Sequence, residues 1–568
     1  MKPSSRALGV ILLALLTTAC APAPGSGRAL EQTARSASSS RTLVIIGGGE
    51  LQSFAWKKIL PSGAATSIRT GGEEILNARL TLMSERGLPQ PFLAESLPSL
   101  ADESWRVFPD GTMETLYRLR PNLVWHDGVS LTAEDFAFAH RVYANPEFGV
   151  STTGGIKYIQ SVTTLDARSV VLHWNQPYPD VLDEVNLLPP LPSHILERPY
   201  AELAAELFMS LPFWRDEYVG AGPWRLDRRA VGSFFEASAF DGFVFGRPKL
   251  HRIRVVYIPD PNVMVATLLS GDAHFVMEGL LYGEDGLVLE RGWGGTGGTV
   301  WWEAISGRVM EMQMRPELAI PRELSTDVRV RRAVAFAMDR EAMMEGVTTG
   351  KGLLRDVYTH PQADYYDTVL RAVAKRYRYE PRQAEQLLSE AGFARGGDGA
   401  WSTPRGEPFS LEQWYLAASN NERESQILID TLRRFGIDAT SHLFGNQRTS
   451  AEDRVKTPGL FGGTKVFPDY HSRDIARPEN RWAGSNRFGY SNPELDRLLD
   501  VYYTTLDRPQ RIQQMAQIER LAMDDLPAIP LYYNPRVIAF VAGLDGVGRK
   551  LVESAGIERD IWGWTWHS

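Results

Sequence analysis

Past residue 20 the chain has no cysteine: Cys20 is the only one in 568 residues. A disulfide framework and a cysteine-built metal site are therefore excluded from the body of the protein. No second run of about 18 apolar residues occurs either, so nothing after the first twenty residues is built to span a bilayer as a helix. Positive charge is in short supply. Lys and Arg total 61 against 69 Asp and Glu, a net charge of -8 that argues against a nucleic-acid partner, which needs a basic face. Gly-x-Ser-x-Gly and His-Glu-x-x-His are both missing, so neither points to an exported hydrolase. Gly47-Gly48-Gly49 lacks the Lys-Ser/Thr of a phosphate-cradling loop, and no repeat of fixed period is found.

What is present begins at the N-terminus. Lys2 and Arg6 precede the apolar run Val10-Ile11-Leu12-Leu13-Ala14-Leu15-Leu16, which is too short to cross a hydrocarbon core of ~30 Å. Thr17-Thr18-Ala19-Cys20 follows, small residues leading into a thiol. This is the pattern of a bacterial lipoprotein signal, in which the thiol takes a diacylglycerol and becomes the first residue of the mature chain. Thr17 stands where Leu is commoner. Residues 21–41 are rich in Ala, Pro, Gly and Ser and bury too little to fold, so they read as a flexible tether. The expected arrangement is a lipid anchor at Cys20, a leash and a large exported body on the periplasmic or cell-surface side. Removing Lys2 and Arg6 with the leader takes the charge from -8 to about -10.

The composition, 43% hydrophobic and 23% charged, is that of a globular chain, and its length predicts several domains stabilised by core burial alone. Strands are expected at 41–47, 112–119, 253–258 and 527–532. Asp110-Gly111 and Trp125-His126-Asp127-Gly128 read as tight turns. Thr132 and Asp135 have capping-box spacing at a helix start. Further helices are expected after Asp260 to Gly271, over 328–344, 381–391 and 426–435, after Asn492, and over 509–524. Asp339-Arg340 reads as a structural ion pair. Trp562, Trp564 and Trp566 alternate and would share one face if extended. The fold class is α/β.

Five stretches in order resemble the solute-binding proteins of peptide-type ABC importers (family 5: dipeptide, oligopeptide, nickel and related oligosaccharide or opine binders). They are Pro91 to Ser96 with Trp105; Asp110-Gly111 through Trp125-His126-Asp127-Gly128 to Asp135; Gly222-Pro223-Trp224 with Ile258 to Asn262 and Leu269 to Asp272; Val328-Arg329 to Glu341; and Gly489 to Asp496 with Pro527 to Tyr532. The resemblance covers roughly residues 42 to 545. It implies a two-lobed periplasmic-binding-protein-like fold with an extra domain and a hinge between lobes. Domain I would be 42–77, 220–295 and 535–568, the extra domain II 78–219, and domain III 296–534. It implies capture of a peptide or peptide-like solute between lobes, delivery to a membrane permease, no catalysis and a monomer; no cofactor is expected, and a metal would come only from analogy with the nickel binders, with no His or Cys cluster to support one.

In peptide-binding members of that family, an aromatic residue of the second lobe is followed three positions later by an Asp that pairs with the ligand's free amine. The matching stretch here is Phe461-Gly462-Gly463-Thr464-Lys465, so the acid is replaced by Thr464 with Lys465 beside it. Asp469 is the alternative acid. Lys465, Arg473, Arg477, Arg481 and Arg487 make the loop basic against Asp469, Asp474 and Glu479, a set that suits carboxylate or phosphate if it faces the cleft. Trp482, Trp302, Trp301 and Phe461 are candidate stacking surfaces, and Glu74 completes the candidate contacts. An acidic opine-like compound, a modified peptide or a short oligosaccharide is the expectation beside an ordinary peptide.

Overall fold

The computed structural model describes residues 41–56, 72–85, 87–148, 155–182, 188–417, 419–444, 451–464, 470–480, 482, 484–549 and 557–567. The expectations for Cys20, the tether, Lys465, Asp469 and Arg481 lie outside the described residues. Among the described residues no helix is long and apolar enough to cross a membrane.

The first lobe is built around β1 (Leu43–Gly47), a β-branched, almost wholly buried strand. β1 pairs in parallel on both sides, as buried apolar runs without alternation do. The four-stranded extra sheet is antiparallel. It comprises β2 (Trp105–Val107), β3 (Met113–Arg118), β4 (Ile159–Asp166) and β5 (Ser169–Trp174), in the order β2-β3-β5-β4. α1 (Ala133–Ala144) packs on it. The Asp135 carboxylate accepts from the Thr132 N–H at 2.9 Å, and also from Trp125 Nε1 at 3.1 Å and the Ser193 hydroxyl at 2.8 Å. The helix cap thereby also ties down the preceding turn. Within that turn His126 is structural. Its Nδ1 accepts from the Gly220 N–H at 3.1 Å and its Nε2–H donates to the Gly222 carbonyl at 3.0 Å.

Chain continues into β6 (Trp224–Ala230), β7 (Phe234–Ala239), β8 (Arg252–Tyr257) and β9 (Phe275–Val276). Between the last two lies α2 (Pro261–Ser270), capped by Asp260 and stopped by Gly271 in the left-handed region. α3 (Gly283–Trp293) follows. The second lobe adds α4 (Val328–Ala337), α5 (Arg340–Thr348), β11 (Ser410–Leu416), α6 (Ser419–Phe435), β12 (Asp438–Phe444), β13 (Leu460–Thr464), α7 (Pro493–Thr504) and α8 (Arg508–Asp525). Two long strands join the lobes: β10 (Gly298–Met312) and β14 (Ala528–Val541). The large sheet runs β12-β11-β13-β10-β14-β9-β1-β8-β7-β6, with Leu353–Leu354 also on β14.

Burial divides along these two strands. Val537, Ile538 and Ala539 belong to the first hydrophobic core, with Leu43, Ile45 and Trp224. Val309, Met310, Ala528 and Ile529 belong to the second, with Val334, Leu428 and Leu499. The β10–β14 ladder slips in register between Ala304 and Ser306 and again between Gly307 and Val309, in the stretch between the two cores. Such slips bend a strand and weaken its ladder. A Cβ at Gly307 would stand 2.3 Å from Arg355 Nη1, so a side chain there would have to displace that buried guanidinium.

Five expectations are corrected. The helix over 328–344 is two helices: Met338 is extended and the Asp339 side chain accepts the Ala342 N–H at 2.9 Å, starting a new one. Asp339 is thus a cap, and Arg340 instead pairs with Asp356 at 3.5 Å and donates to the Arg355 and Pro530 carbonyls. The strand at 527–532 is the start of the much longer β14, and the helix over 426–435 starts at Ser419. Trp562, Trp564 and Trp566 do not share an extended face, because residues 557–563 coil into a 3₁₀ segment. Trp562 then packs on Phe92, Phe243 and Phe245 while Trp564 is fully buried.

Candidate ligand site

A cavity of ≈ 190 Å³ opens where the linking strands slip. Ser306 and Arg308 come from β10, Asn534 and Tyr532 from β14, Thr464 from the end of β13, and Asn420, Asn421 and Glu424 from the first turns of α6. Val347 of α5 adds an apolar wall, and Tyr282, just before α3, closes it from the first lobe. Register explains the convergence: Arg308 is the cross-strand partner of Thr464, and Ser306 that of Asn534. The Arg423 guanidinium of α6 reaches Glu284 of α3 at 2.8 Å, an exposed ion pair between the two helices beside the cavity.

At the floor lies a buried ionic group. Arg308 donates through Nε and Nη2 to both oxygens of Glu424, at 3.0 and 2.6 Å, and the Tyr532 hydroxyl donates to the same carboxylate. Burial alone would lower the Arg308 guanidinium, but the Glu424 charge and hydrogen bonds outweigh it and hold the group above its ordinary value. Burial, and then the Glu424 charge, push the Tyr532 hydroxyl well up, so it stays a neutral donor. Gly462 makes room: a Cβ there would lie 3.0 Å from Glu424 Oε1 and 3.1 Å from Gln413 Nε2. Gln413 is itself buried and accepts from Ser425.

Of the expected site residues, Thr464 lines this cavity and is exposed toward it. Phe461 stands three residues back along β13, opposite Glu311; its ring is buried against Phe488 at 5.6 Å. Trp302 stands half-buried on the first-lobe end of β10. Its Nε1 donates to Glu290 at 2.6 Å and Lys351 lies over its ring at 5.0 Å. Trp301 packs edge-on against Phe540. Trp482 is half-buried, with a left-handed backbone (φ 61°), and Glu74 lies in the short helix Glu73–Leu76; neither lines the cavity.

The described arginines of the basic loop do not line this cavity. Arg473 pairs with Asp500 at 2.9 Å and lines a different, larger cavity of ≈ 420 Å³ between the second lobe and the extra sheet, beside Lys157, Tyr158 and Tyr503. Arg477 is exposed, and the Arg487 carbonyl accepts from Arg315. Sequence reasoning missed Arg308, Glu424, Tyr282 and the asparagines. A signal for Glu424 existed: it shares the apolar stripe of α6 with Leu428 and Leu432, where a carboxylate is out of place. Among the described residues no group of three or more His, Cys, Asp or Glu is arranged to hold a metal ion.

Residues 95–456 match the family described as bacterial extracellular solute-binding proteins, family 5, middle region. The chain is 24% identical over 560 residues to the oligopeptide-binding protein AppA of Bacillus subtilis, covering 94% of each. It superposes on the structure of that AppA in complex with a nonapeptide with a TM-score of 0.70 at 22% identity, over 93% of this chain and 99% of that one. It also resembles NikZ from Campylobacter jejuni in complex with Ni(L-His), with a TM-score of 0.71 at 22% identity over 92% and 99% of the two chains.

Proposed function

This chain belongs to the bacterial extracellular solute-binding proteins of family 5, and from that premise we propose that it captures a peptide or peptide-like solute between its lobes and hands it to the membrane permease of an ABC importer. The observation that carries this reading is the cavity at the register slip of β10 and β14, walled by the second lobe and closed by Tyr282 of the first. A solute held there touches both lobes, so it favours the closed arrangement over the open one. That difference in affinity is what a carrier needs to signal loading.

The division into domain I (42–77, 220–295, 535–568), domain II (78–219) and domain III (296–534) remains our reading, as does the lipid on Cys20. The neutral hydrogen-bonding groups around the cavity also favour a second reading, a short oligosaccharide, over an acidic opine-like solute. The test is to denature the purified protein and identify what it releases by mass spectrometry. A peptide or blocked peptide at near-stoichiometric yield supports the first reading and a sugar the second. No retained solute, with no binding to any peptide or sugar pool, would overturn both. Transfer of the protein from membrane to soluble fraction in Cys20→Ser tests the anchor.

A further inference from the structure

Resting on the solute-binding reading, we infer that the cavity at the β10–β14 slip selects an uncharged amide- or hydroxyl-bearing part of its solute, and that Arg308 with Glu424 sets this selection. Among the described lining residues there is one cation, Arg308, and one anion, Glu424. Each is spent on the other through two hydrogen bonds, and Tyr532 takes further acceptor capacity from the same carboxylate. Glu424 is 1% exposed and Arg308 10%.

An ammonium entering here would meet the nearby guanidinium and gain no free carboxylate, while an entering carboxylate would meet the converse. The remaining lining groups are Tyr282, Ser306, Asn420, Asn421, Thr464 and Asn534 beside Val347. All six are neutral and carry hydroxyls or amides, which match peptide-bond and sugar groups in donor and acceptor type. Leaving such groups unpaired costs affinity, so an apolar solute is disfavoured as well. The described arginines of the basic loop, Arg473, Arg477 and Arg487, do not line this cavity.

The experiment uses the full protein with three probe pools: pentapeptides with free termini, the same peptides N-acetylated and C-amidated, and neutral malto-oligosaccharides. Retained members are quantified by mass spectrometry after rapid filtration. The expected result is that the blocked peptides or the sugars are retained at least about tenfold over the free-amine peptides. The two sources are told apart by which neutral pool is held. Thr464 is exposed at the rim, so Thr464→Asp and Thr464→Lys are charge changes that the fold accommodates. Thr464→Asp should shift retention toward free-amine peptides, and Thr464→Lys should shift it further away. Free-amine peptides retained as well as blocked ones, or ratios unmoved by either substitution, overturn the inference while leaving solute binding standing. Retention of no pool overturns the solute-binding reading as well.

Discussion

The Arg308 guanidinium grips both oxygens of Glu424, across 116 residues of sequence, at the base of a cavity that both lobes share. Removing one partner of such a buried pair strands the other. Glu424→Gln should therefore lower the unfolding free energy by about 3–5 kcal/mol, the range for breaking a buried ion pair. The double variant Arg308→Met with Glu424→Leu should recover most of that loss, because no uncompensated charge remains. Denaturant titration of the three proteins decides the matter; a double variant as unstable as Glu424→Gln would refute the argument.

Glu519 sits on α8, fully buried, where its carboxylate accepts from the Thr359 hydroxyl and from the Tyr358 N–H at 3.2 Å. Burial pushes this acid up to about 7 despite those bonds and the nearby Arg355 charge. The folded state therefore holds a proton that the unfolded state has released, between an ordinary value near 4.5 and about 7. Its contribution to stability falls as pH rises through that window, by about 3 kcal/mol in total. Glu519→Gln should gain on the wild type by this amount between pH 4.5 and pH 8. A pH-independent difference between the two proteins would count against it.

His126 titrates in the opposite sense. Burial lowers it to about 4, the Gly222 hydrogen bond opposing only in part. Between about 6.5 and 4 the unfolded state binds a proton that the folded state refuses, so stability present above pH 6.5 is lost on acidification. The loss is about 3 kcal/mol at the acid end. His126→Gln removes the titration, so its pH profile from 7 to 4 should be flatter than that of the wild type. Direct NMR titration of the imidazole to a value near 6.5 would sink the assignment.

How far the chain could be read beforehand follows from the range of each interaction. Capping and turn signals act over three or four residues, and Thr132–Asp135, Asp260 and Asn492 all start helices where their spacing placed them. The split of the helix at Asp339 went unread because Val334, Ala337 and Met338 keep a helical period right up to the break; only the Asp cap betrays it. The floor of the cavity was illegible for a different reason. Arg308 and Glu424 meet only once β10 pairs with β13 and α6 packs on the sheet, and no local pattern encodes that pairing. Thr464, which lines the cavity, was singled out because it follows Phe461-Gly462-Gly463, a motif carried by family resemblance rather than by physics of its own.

Arg511 and Asp180 form the other joint between the lobes. The α8 guanidinium donates to both oxygens of Asp180, at 2.6 and 2.7 Å, from the second lobe to the loop beyond the extra sheet. Tyr502 lies under the same guanidinium at 4.4 Å. Burial works against the Arg511 charge, but the Asp180 hydrogen bonds and its neighbours raise it above its ordinary value, so the guanidinium stays charged. Asp180 is 36% exposed, so the pair contributes about 1 kcal/mol rather than the several of a buried one. The contact joins the two lobes, so we expect that amount to bear on the balance between open and closed arrangements. Asp180→Asn should weaken solute affinity by about fivefold, mainly through faster release, and should leave each lobe's unfolding midpoint nearly unchanged. Raised salt should narrow the gap between wild type and variant, because screening weakens the pair in the wild type alone. Stopped-flow release of a bound solute, with small-angle scattering of the solute-free protein, gives both readings. Unchanged release and an unchanged radius of gyration would show that the pair is a bystander to closure.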